Sequence, residues 1–151
     1  MNTIRRILLA EDSAKDVELT LAALEEHHLA NEVDTVRDGA EAWDYLQRQG
    51  RYAGRPEGFP AVVLLDLKMP KMDGLEVLRR IREDANLRSI PVVMLTSSRE
   101  ERDLIASYRL GVNAYVVKPV DFSEFFSAVK NLGLFWAVLN EPPPASIRKA
   151  A

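Results

Sequence analysis

Acidic, amine and hydroxyl side chains follow four short apolar segments of this 151-residue chain, at Glu11, Asp12, Asp66, Thr96 and Lys118. Unbroken apolar runs of this length predict strands that are buried on both faces, as in a parallel sheet. Open parallel sheets bind their ligands at the carboxyl ends of the strands. We therefore expect the five side chains to meet at one edge of a sheet, where a charge on a buried strand has a functional use.

Three carboxylates at one edge require a positive partner. Two like charges a few ångströms apart repel by roughly 4 kcal/mol at an effective dielectric near 20, so Glu11, Asp12 and Asp66 need a cation or raised pKa values. Oxygen ligands with room for water and a phosphate suit Mg²⁺ better than zinc. Together with the ammonium of Lys118 and the hydroxyl of Thr96, they match the demands of a phosphoryl group bonded to one of the acids.

Five strand-like segments alternate with five helix-like segments along the chain. The run 61–65, Ala-Val-Val-Leu-Leu, predicts the central strand that ends at Asp66. This alternation predicts an α/β fold, a doubly wound (βα)5 sandwich with a five-stranded parallel sheet in the flavodoxin-like order 2-1-3-4-5. In that order the first and third strands are neighbours, which brings Glu11 and Asp12 towards Asp66.

Helical spacing predicts which residues of the first two helices face the core. The first helix should have an apolar face that ends at His28, and the second should bury Ala42, Trp43 and Leu46. Adjacent residues on a helix point apart. We therefore expect His27 and His28 to be surface or packed residues rather than a relay or a metal pair.

Composition predicts the character of the segment 47–60 and of the end of the chain. Residues 47–60 contain glycines and prolines with few aliphatic side chains, and predict a long mobile loop. The last helix is expected over 121–140. One domain should therefore occupy residues 1–140, followed by a disordered tail at 141–151.

Composition excludes several classes of function. The formal net charge of −3 argues against a nucleic-acid partner held by phosphate contacts. The absence of cysteine excludes disulfides, thiolate catalysis and Cys-ligated zinc. No apolar stretch is long enough to span a bilayer. We therefore expect a cytoplasmic protein with neither a nucleic-acid nor a membrane partner.

In order along the chain, these motifs resemble the receiver domains of response regulators, of which CheY is the single-domain type. The resemblance covers about residues 5–132 and is carried by Glu11-Asp12, Asp66, Met69-Pro70, Asp73-Gly74, Thr96 and Lys118-Pro119. It implies that a histidine kinase transfers a phosphoryl group to Asp66. With no DNA-binding segment after Asn140, output should pass through protein contacts of the fourth helix, fifth strand and fifth helix, around Tyr115.

The resemblance also implies a role for each site residue. Mg²⁺ would be held by Glu11, Asp12, Asp66 and the backbone carbonyl of Lys68. Thr96 and Lys118 would contact the phosphoryl oxygens, and the Lys118-Pro119 peptide would be cis. Tyr115 occupies the aromatic switch position of the family, so Thr96 and Tyr115 should move together on phosphorylation.

Two features go beyond a minimal receiver domain. The loop 47–60 is long, and the last helix continues into an apolar stretch that contains Phe135 and Trp136. Both features resemble the single-domain regulators that are paired with bacterial and cyanobacterial phytochromes. Exposed aromatic residues of this kind mark interfaces, so we expect a homodimer and a phytochrome-type histidine kinase as partner.

Two other functions remain open at this stage. An aspartate-nucleophile phosphohydrolase also uses a strand-end aspartate and Mg²⁺, but it places a second carboxylate two residues later, where this chain has Lys68. A constitutive binding module with a receiver fold would need no phosphorylation, and the complete set of site residues argues against it. Apart from accepting and slowly hydrolysing its own phosphoryl group, the chain is not expected to be an enzyme.

Overall fold

Within residues 6–118 and 122–141, which the computed structural model describes, five parallel strands form one sheet in the order β2-β1-β3-β4-β5. The strands are β1 Ile7–Ala10, β2 Val33–Val36, β3 Val62–Leu65, β4 Val92–Thr96 and β5 Ala114–Val117. The predicted strand order and parallel pairing are confirmed. Strands β1, β3 and β4 are buried along their whole length, as their continuous apolar sequences require.

Five α-helices flank this sheet in the described part of the chain: α1 Ala14–Glu25, α2 Gly39–Gln47, α3 Gly74–Glu83, α4 Glu101–Arg109 and α5 Phe122–Leu134. The side chains of Ser13, Asp38 and Asp73 cap α1, α2 and α3 by accepting an amide N–H of the first turn. A π-helical turn, Phe135–Leu139, continues α5. The helix predicted over 121–140 corresponds to α5 and this turn, which together run from Phe122 to Leu139.

The helices cover both faces of the sheet, so the hydrophobic core has two layers. One layer packs α2 and α3 on the sheet through Tyr45, Leu46, Val77, Leu78 and Ile81. The other packs α1 and the last helix through Ala23, Leu24, Val129 and Ala137. Successive residues of β1 enter opposite layers, Leu8 the first and Leu9 the second. This arrangement is the doubly wound sandwich.

Each of the first two helices differs from its predicted buried face at one residue: His28 lies outside α1, and Trp43 packs against the core but is only half-buried. Helix α1 ends three residues before His28, which has a left-handed backbone conformation (φ 58°) and is exposed. The chain turns back at this point and buries Leu29 instead. In α2 the buried aromatic residue is Tyr45, whereas Trp43 is half-buried beside the guanidinium of Arg80.

Arginine side chains attach the loop 47–60 to α2, and the mobility that its composition predicts stays a prediction. Gly50–Tyr52 forms a short 3₁₀ turn. Arg55 Nε donates to the carbonyl oxygen of Tyr45 (3.0 Å), and the guanidinium lies 4.3 Å from the centre of the Tyr45 ring. Arg48 Nε donates to the carbonyl oxygen of Arg55 (2.9 Å). The two hydrogen bonds join side chains to the backbone, which local composition does not encode.

Helix α4 presents its large apolar side chains to solvent. Leu104, Ile105 and Tyr108 are 40%, 43% and 54% exposed, and the buried residue of this helix is Ser107. In the described ranges, no helix has the length and apolar character needed to cross a membrane.

Pro119 and residues 142–151 lie outside the described residues. The cis peptide at Lys118-Pro119 and the disordered tail therefore remain predictions.

Arg82 connects α3 to the loops that precede β4 and β5. Its guanidinium donates to the carbonyl oxygens of Gly111 (2.9 Å) and Ile90 (2.8 Å) and to Asn113 Oδ1 (2.8 Å). Asn113 Oδ1 also accepts the amide N–H of Val92 (2.8 Å). Burial lowers the pKa of Arg82 below its usual value. The charge of this side chain is therefore compensated by carbonyl and amide oxygens rather than by a carboxylate.

We expect Arg82→Met to lower the free energy of unfolding by about 2–4 kcal/mol, because the oxygens that Arg82 binds lose a charged donor. Arg79→Met on the same helix is the control and should cost less than about 1 kcal/mol, because Arg79 forms exposed ion pairs with Glu76 and Glu83. Urea denaturation measures both values. Equal losses in the two variants would contradict the prediction.

Candidate functional site

Glu11, Asp12 and Asp66 form one acidic cluster at the carboxyl edge of the sheet. Each residue has a carboxylate oxygen within 4.8 Å of those of the other two. The pairing of β1 with β3 sets Ala10 beside Leu65, so the residues that follow them leave the sheet side by side. Glu11 and Asp66 are buried, and Asp12 is exposed. The structure thus brings together three of the predicted site residues, with one side open to solvent.

The ammonium of Lys118 lies inside this cluster. Nζ donates to Glu11, to Asp16 Oδ2 (2.8 Å) and to Asp66 Oδ2 (3.4 Å), and the Lys118 side chain is only 10% exposed. The backbone brings it there, because Lys118 N donates to the carbonyl oxygen of Thr96 (2.7 Å) at the end of β4. One buried ammonium therefore serves several carboxylates.

Electrostatics at this edge are unbalanced. Burial raises the pKa of Glu11 to about 7, with the charge of Asp66 adding to the rise and the hydrogen bond from Lys118 opposing it. Burial alone would lower the pKa of Lys118, but the hydrogen bonds to Asp16 and Glu11 and the charge of Asp66 outweigh burial and raise it. Lys118 thus stays an ammonium. Its single positive charge does not compensate all the carboxylates around it, so a further positive charge would stabilise their ionised forms.

The donor set fits a hard divalent cation. Carboxylate oxygens from Glu11, Asp12 and Asp66 are close enough to share one ion, and oxygen ligands are those preferred by Mg²⁺, Ca²⁺ and Mn²⁺. Glu11 is held in place, since its Oε2 accepts the amide N–H of Ser13 (3.1 Å). The backbone carbonyl of Lys68 remains a predicted fourth ligand.

Thr96 and Tyr115 are linked through the loop between β4 and α4. Thr96 is buried, and its Oγ1 accepts the amide N–H of Ser98 (3.3 Å). The hydroxyl of Tyr115 donates to the carbonyl oxygen of Ser98 (3.0 Å), and Ser98 Oγ donates to Asp103 Oδ2 (2.5 Å). Burial raises the pKa of Tyr115, so its hydroxyl remains a donor. The two predicted switch residues therefore contact the same loop residue.

The loop after β3 is packed against the backbone of Asp66. A Cβ on Gly74 would lie 2.3 Å from the carbonyl oxygen of Asp66, so only glycine fits there. Lys68 is exposed, with Nζ 4.0 Å from Glu100 Oε1. A phosphohydrolase of the type considered above would need a carboxylate at that position, and the chain offers an amine.

Asp16 and Asp103 are site residues that the sequence interpretation missed. Asp16 follows Asp12 by one helical turn, a spacing that could have placed it beside the acidic cluster. Asp103 lies in the first turn of α4, where an acidic residue is expected simply because it stabilises the N-terminus of the helix. Its contact with Ser98 depends on how the preceding loop folds, and no sequence spacing indicates it.

The predicted interface aromatics have different environments. Phe135 and Trp136 form an edge-to-face pair with ring centres 4.9 Å apart. Trp136 is half-buried and packs on the core of its own chain, whereas Phe135 and Leu139 are 47% and 60% exposed. Among the described side chains of this turn, Phe135 and Leu139 rather than Trp136 therefore form the exposed apolar surface.

The order of the strands, together with the carboxylates and the ammonium at the carboxyl edge of the sheet, defines an α/β signalling domain of the CheY-like class. The family model of the response regulator receiver domain matches residues 7–130. This chain therefore belongs to the family of response regulator receiver domains of two-component systems.

Relatives of known structure are similar over nearly their whole length. Response regulator Rcp1 of Synechocystis is 42% identical over 135 residues, which is 89% of this chain and 90% of that protein. Its Mn²⁺-bound form is a solved structure with a TM-score of 0.84 and 41% identity, covering 93% of this chain and 99% of the other.

Two further solved structures are similar to this chain. The phosphorylated cyanobacterial phytochrome response regulator RcpA has a TM-score of 0.86 and 42% identity, covering 94% of this chain and all of the other. The bacteriophytochrome response regulator AtBRR is 64% identical with a TM-score of 0.74, covering 92% and 99% of the two chains.

We expect divalent cations to raise the melting temperature, because binding to the folded acidic cluster stabilises the native state by about 2.7 kcal/mol at a concentration 100 times the dissociation constant. Asp12→Asn should weaken that binding by about tenfold or more, since one charged ligand contact is worth roughly 1–4 kcal/mol. Thermal denaturation over a series of MgCl₂ or MnCl₂ concentrations measures the effect.

Asp73→Asn is the control for this titration. Asp73 caps α3, and asparagine caps helices equally well, so the response to the cation should match the unmodified protein. An Asp12→Asn protein with an unchanged metal response would contradict the assignment of the cluster as a cation site.

Proposed function

We propose that this protein is a phosphorylation-dependent response regulator in which Asp66 accepts the phosphoryl group from a phosphohistidine of a kinase. The observation that carries the proposal is the contact of the Lys118 ammonium with Asp66 Oδ2 (3.4 Å) inside the acidic cluster. An amine beside a buried carboxylate is arranged to receive the negative charge that a phosphoryl group brings.

In this proposal a carboxylate oxygen of Asp66 attacks phosphorus, the N–P bond to the kinase histidine breaks, and an acyl phosphate forms on Asp66. Lys118 and Thr96 donate hydrogen bonds to the phosphoryl oxygens. Mg²⁺ held by Glu11, Asp12, Asp66 and the carbonyl of Lys68 supplies positive charge for those oxygens. Slow hydrolysis of the acyl phosphate resets the protein, and no other substrate is turned over.

A phytochrome-type histidine kinase is the proposed partner. The support comes from similarity to phytochrome response regulators, which includes 64% identity to AtBRR. Donor and acceptor must meet in one compartment, which we propose is the cytoplasm. We further propose that the receiver unit extends to about residue 140, because Ala137 is fully buried in the core.

The output surface is proposed to be α4 with β5 and α5. Leu104, Ile105 and Tyr108 form an exposed apolar patch there. The loop residue Ser98 contacts Thr96, Tyr115 and Asp103 of α4, and so links the site to the helix that carries the patch. When a phosphoryl group engages Thr96, the hydrogen bonds of this loop must rearrange. The proposed switch is therefore a joint movement of Thr96 and Tyr115.

A homodimer through the last helical turn is proposed as well. Phe135 and Leu139 are four residues apart on the same helical turn, and both are exposed. A second copy of the chain would cover this apolar pair in an isologous contact.

Phosphotransfer tests the first proposal. The wild-type protein should become labelled by acetyl [³²P]phosphate with Mg²⁺, and more rapidly by a ³²P-labelled bacteriophytochrome histidine kinase. Asp66→Asn should lose labelling from both donors, because the acceptor oxygen is replaced by an amide of nearly the same volume. Asp73→Asn serves as the control and should be labelled normally.

Labelling of Asp66→Asn at the wild-type rate would refute Asp66 as acceptor. Labelling by acetyl phosphate, with transfer from the phytochrome kinase no faster than from an unrelated histidine kinase, would refute the phytochrome pairing alone.

The dimer is tested by substitution of the two exposed residues. Phe135→Ser with Leu139→Ser should reduce the mass in light scattering from about twice 17.0 kDa to 17.0 kDa, because the apolar contact is lost. Leu104→Ser with Ile105→Ser removes a comparable exposed patch from α4 and should leave the mass unchanged. If both double variants keep the mass of the unmodified protein, the proposed contact is wrong.

A further inference from the structure

Asp16 contacts the ammonium of Lys118 but lies outside the cluster of three acids. Its Oδ2 is 2.8 Å from Lys118 Nζ, whereas the mutually close carboxylates are those of Glu11, Asp12 and Asp66. A cation held by that cluster would draw on Glu11 and Asp66, the other two acids at the ammonium. Asp16 is then the carboxylate that remains available to Lys118.

Helix α1 holds Asp16 in a fixed position. The amide N–H of Asp16 donates to Ser13 Oγ (3.3 Å), which is the cap of the helix. The carbonyl oxygen of Asp16 accepts the hydroxyl of Thr20 (2.7 Å), and Thr20 is buried. The helix cap and the buried Thr20 therefore fix the backbone of Asp16, and with it the point from which the carboxylate extends.

The number of N–H donors on Lys118 indicates what the contact with Asp16 does. An ammonium has three N–H donors, and here three carboxylates accept from it: Glu11, Asp16 and Asp66. The contact with Asp66 is 3.4 Å, longer than the 2.8 Å to Asp16. Two donors thus hold the ammonium, and the third is directed at the proposed acceptor.

We propose that Asp16 is a positioning residue for phosphoryl transfer, anchoring the ammonium of Lys118 so that one N–H continues to face Asp66 when a cation engages Glu11 and Asp66. This inference rests on the proposed function. Charge-assisted hydrogen bonds are strong and directional. Loss of the anchor therefore leaves Lys118 charged but free to point away from Asp66.

A purely structural role for Asp16 would be small. Its side chain is 30% exposed, and an acid in the first turn of a helix contributes little through the helix dipole. A role confined to helix α1 would also act without Lys118, and a stabilising ion pair with Lys118 would change the urea midpoint but not the labelling rate of the folded protein. A labelling rate that depends on both Asp16 and Lys118 therefore separates the positioning role from a structural one.

The experiment measures labelling rates with acetyl [³²P]phosphate at saturating Mg²⁺. Asp16→Ala should slow labelling by about tenfold, which corresponds to the loss of one charge-assisted hydrogen bond. Asp16→Asn keeps an oxygen acceptor and should lose less. Glu18→Ala, an exposed acid of the same helix, is the control and should be labelled at the wild-type rate with the same net charge as Asp16→Ala.

A double-mutant cycle supplies the decisive result. In a Lys118→Ala background, Asp16→Ala should slow labelling no further, because the residue through which it acts is gone. Without Mg²⁺ or phosphodonor, the shifts in urea midpoint of the two single variants should also fail to add. Circular dichroism establishes that all variants are folded.

Wild-type labelling by Asp16→Ala, or the same slowing in both backgrounds, would overturn the positioning role and leave the proposed function standing. An unlabelled wild-type protein would overturn the proposed function and the inference together.

Discussion

One electrostatic constraint organises this structure: carboxylates from the ends of two adjacent buried strands share a single buried ammonium. The register of β1 and β3 fixes the separation of Glu11 and Asp66, and neither strand can shift without losing buried apolar contacts. Packing therefore opposes a charge repulsion of roughly 4 kcal/mol per close pair at an effective dielectric near 20. Lys118 relieves part of that repulsion. The pKa of Glu11 is still raised, by burial first and by the charge of Asp66 in addition.

Because the carboxylates and the ammonium of Lys118 are this close together, a charge added at Asp66 changes the hydrogen bonds of Lys118. The backbone of Lys118 is bonded to Thr96, and Thr96 contacts the loop residue Ser98, which in turn binds Tyr115 and Asp103. Asp66 is therefore joined to α4 by a contiguous set of contacts, made of the Lys118 side chain and these hydrogen bonds. Contiguous contacts of this kind are a physical route for coupling between two sites.

The sequence was sufficient for the sheet and for most of the cluster, because both depend on patterns that are local along the chain. Apolar runs locate the strands, and strand ends locate Glu11, Asp12, Asp66, Thr96 and Lys118. The features that the sequence did not predict depend on tertiary packing. Asp16 resembles any acid in a first helical turn until β5 brings Lys118 beside it. The contact of the loop 47–60 with α2 is likewise not encoded locally, because Arg55 meets the backbone of Tyr45 only in the folded chain.

The two exposed apolar patches differ in how firmly they are attached to the fold, and this difference separates their roles. Helix α4 buries only Ser107 among its residues, so it can shift with little loss of apolar burial. The turn that carries Phe135 and Leu139 is anchored by the fully buried Ala137 and by Trp136 against the other core layer. A rearrangement that begins at Thr96 therefore reaches the patch on α4 at low cost, whereas moving the last turn would open the core. In the proposed function, phosphorylation then changes output through α4, and self-association through Phe135 and Leu139 persists in both states.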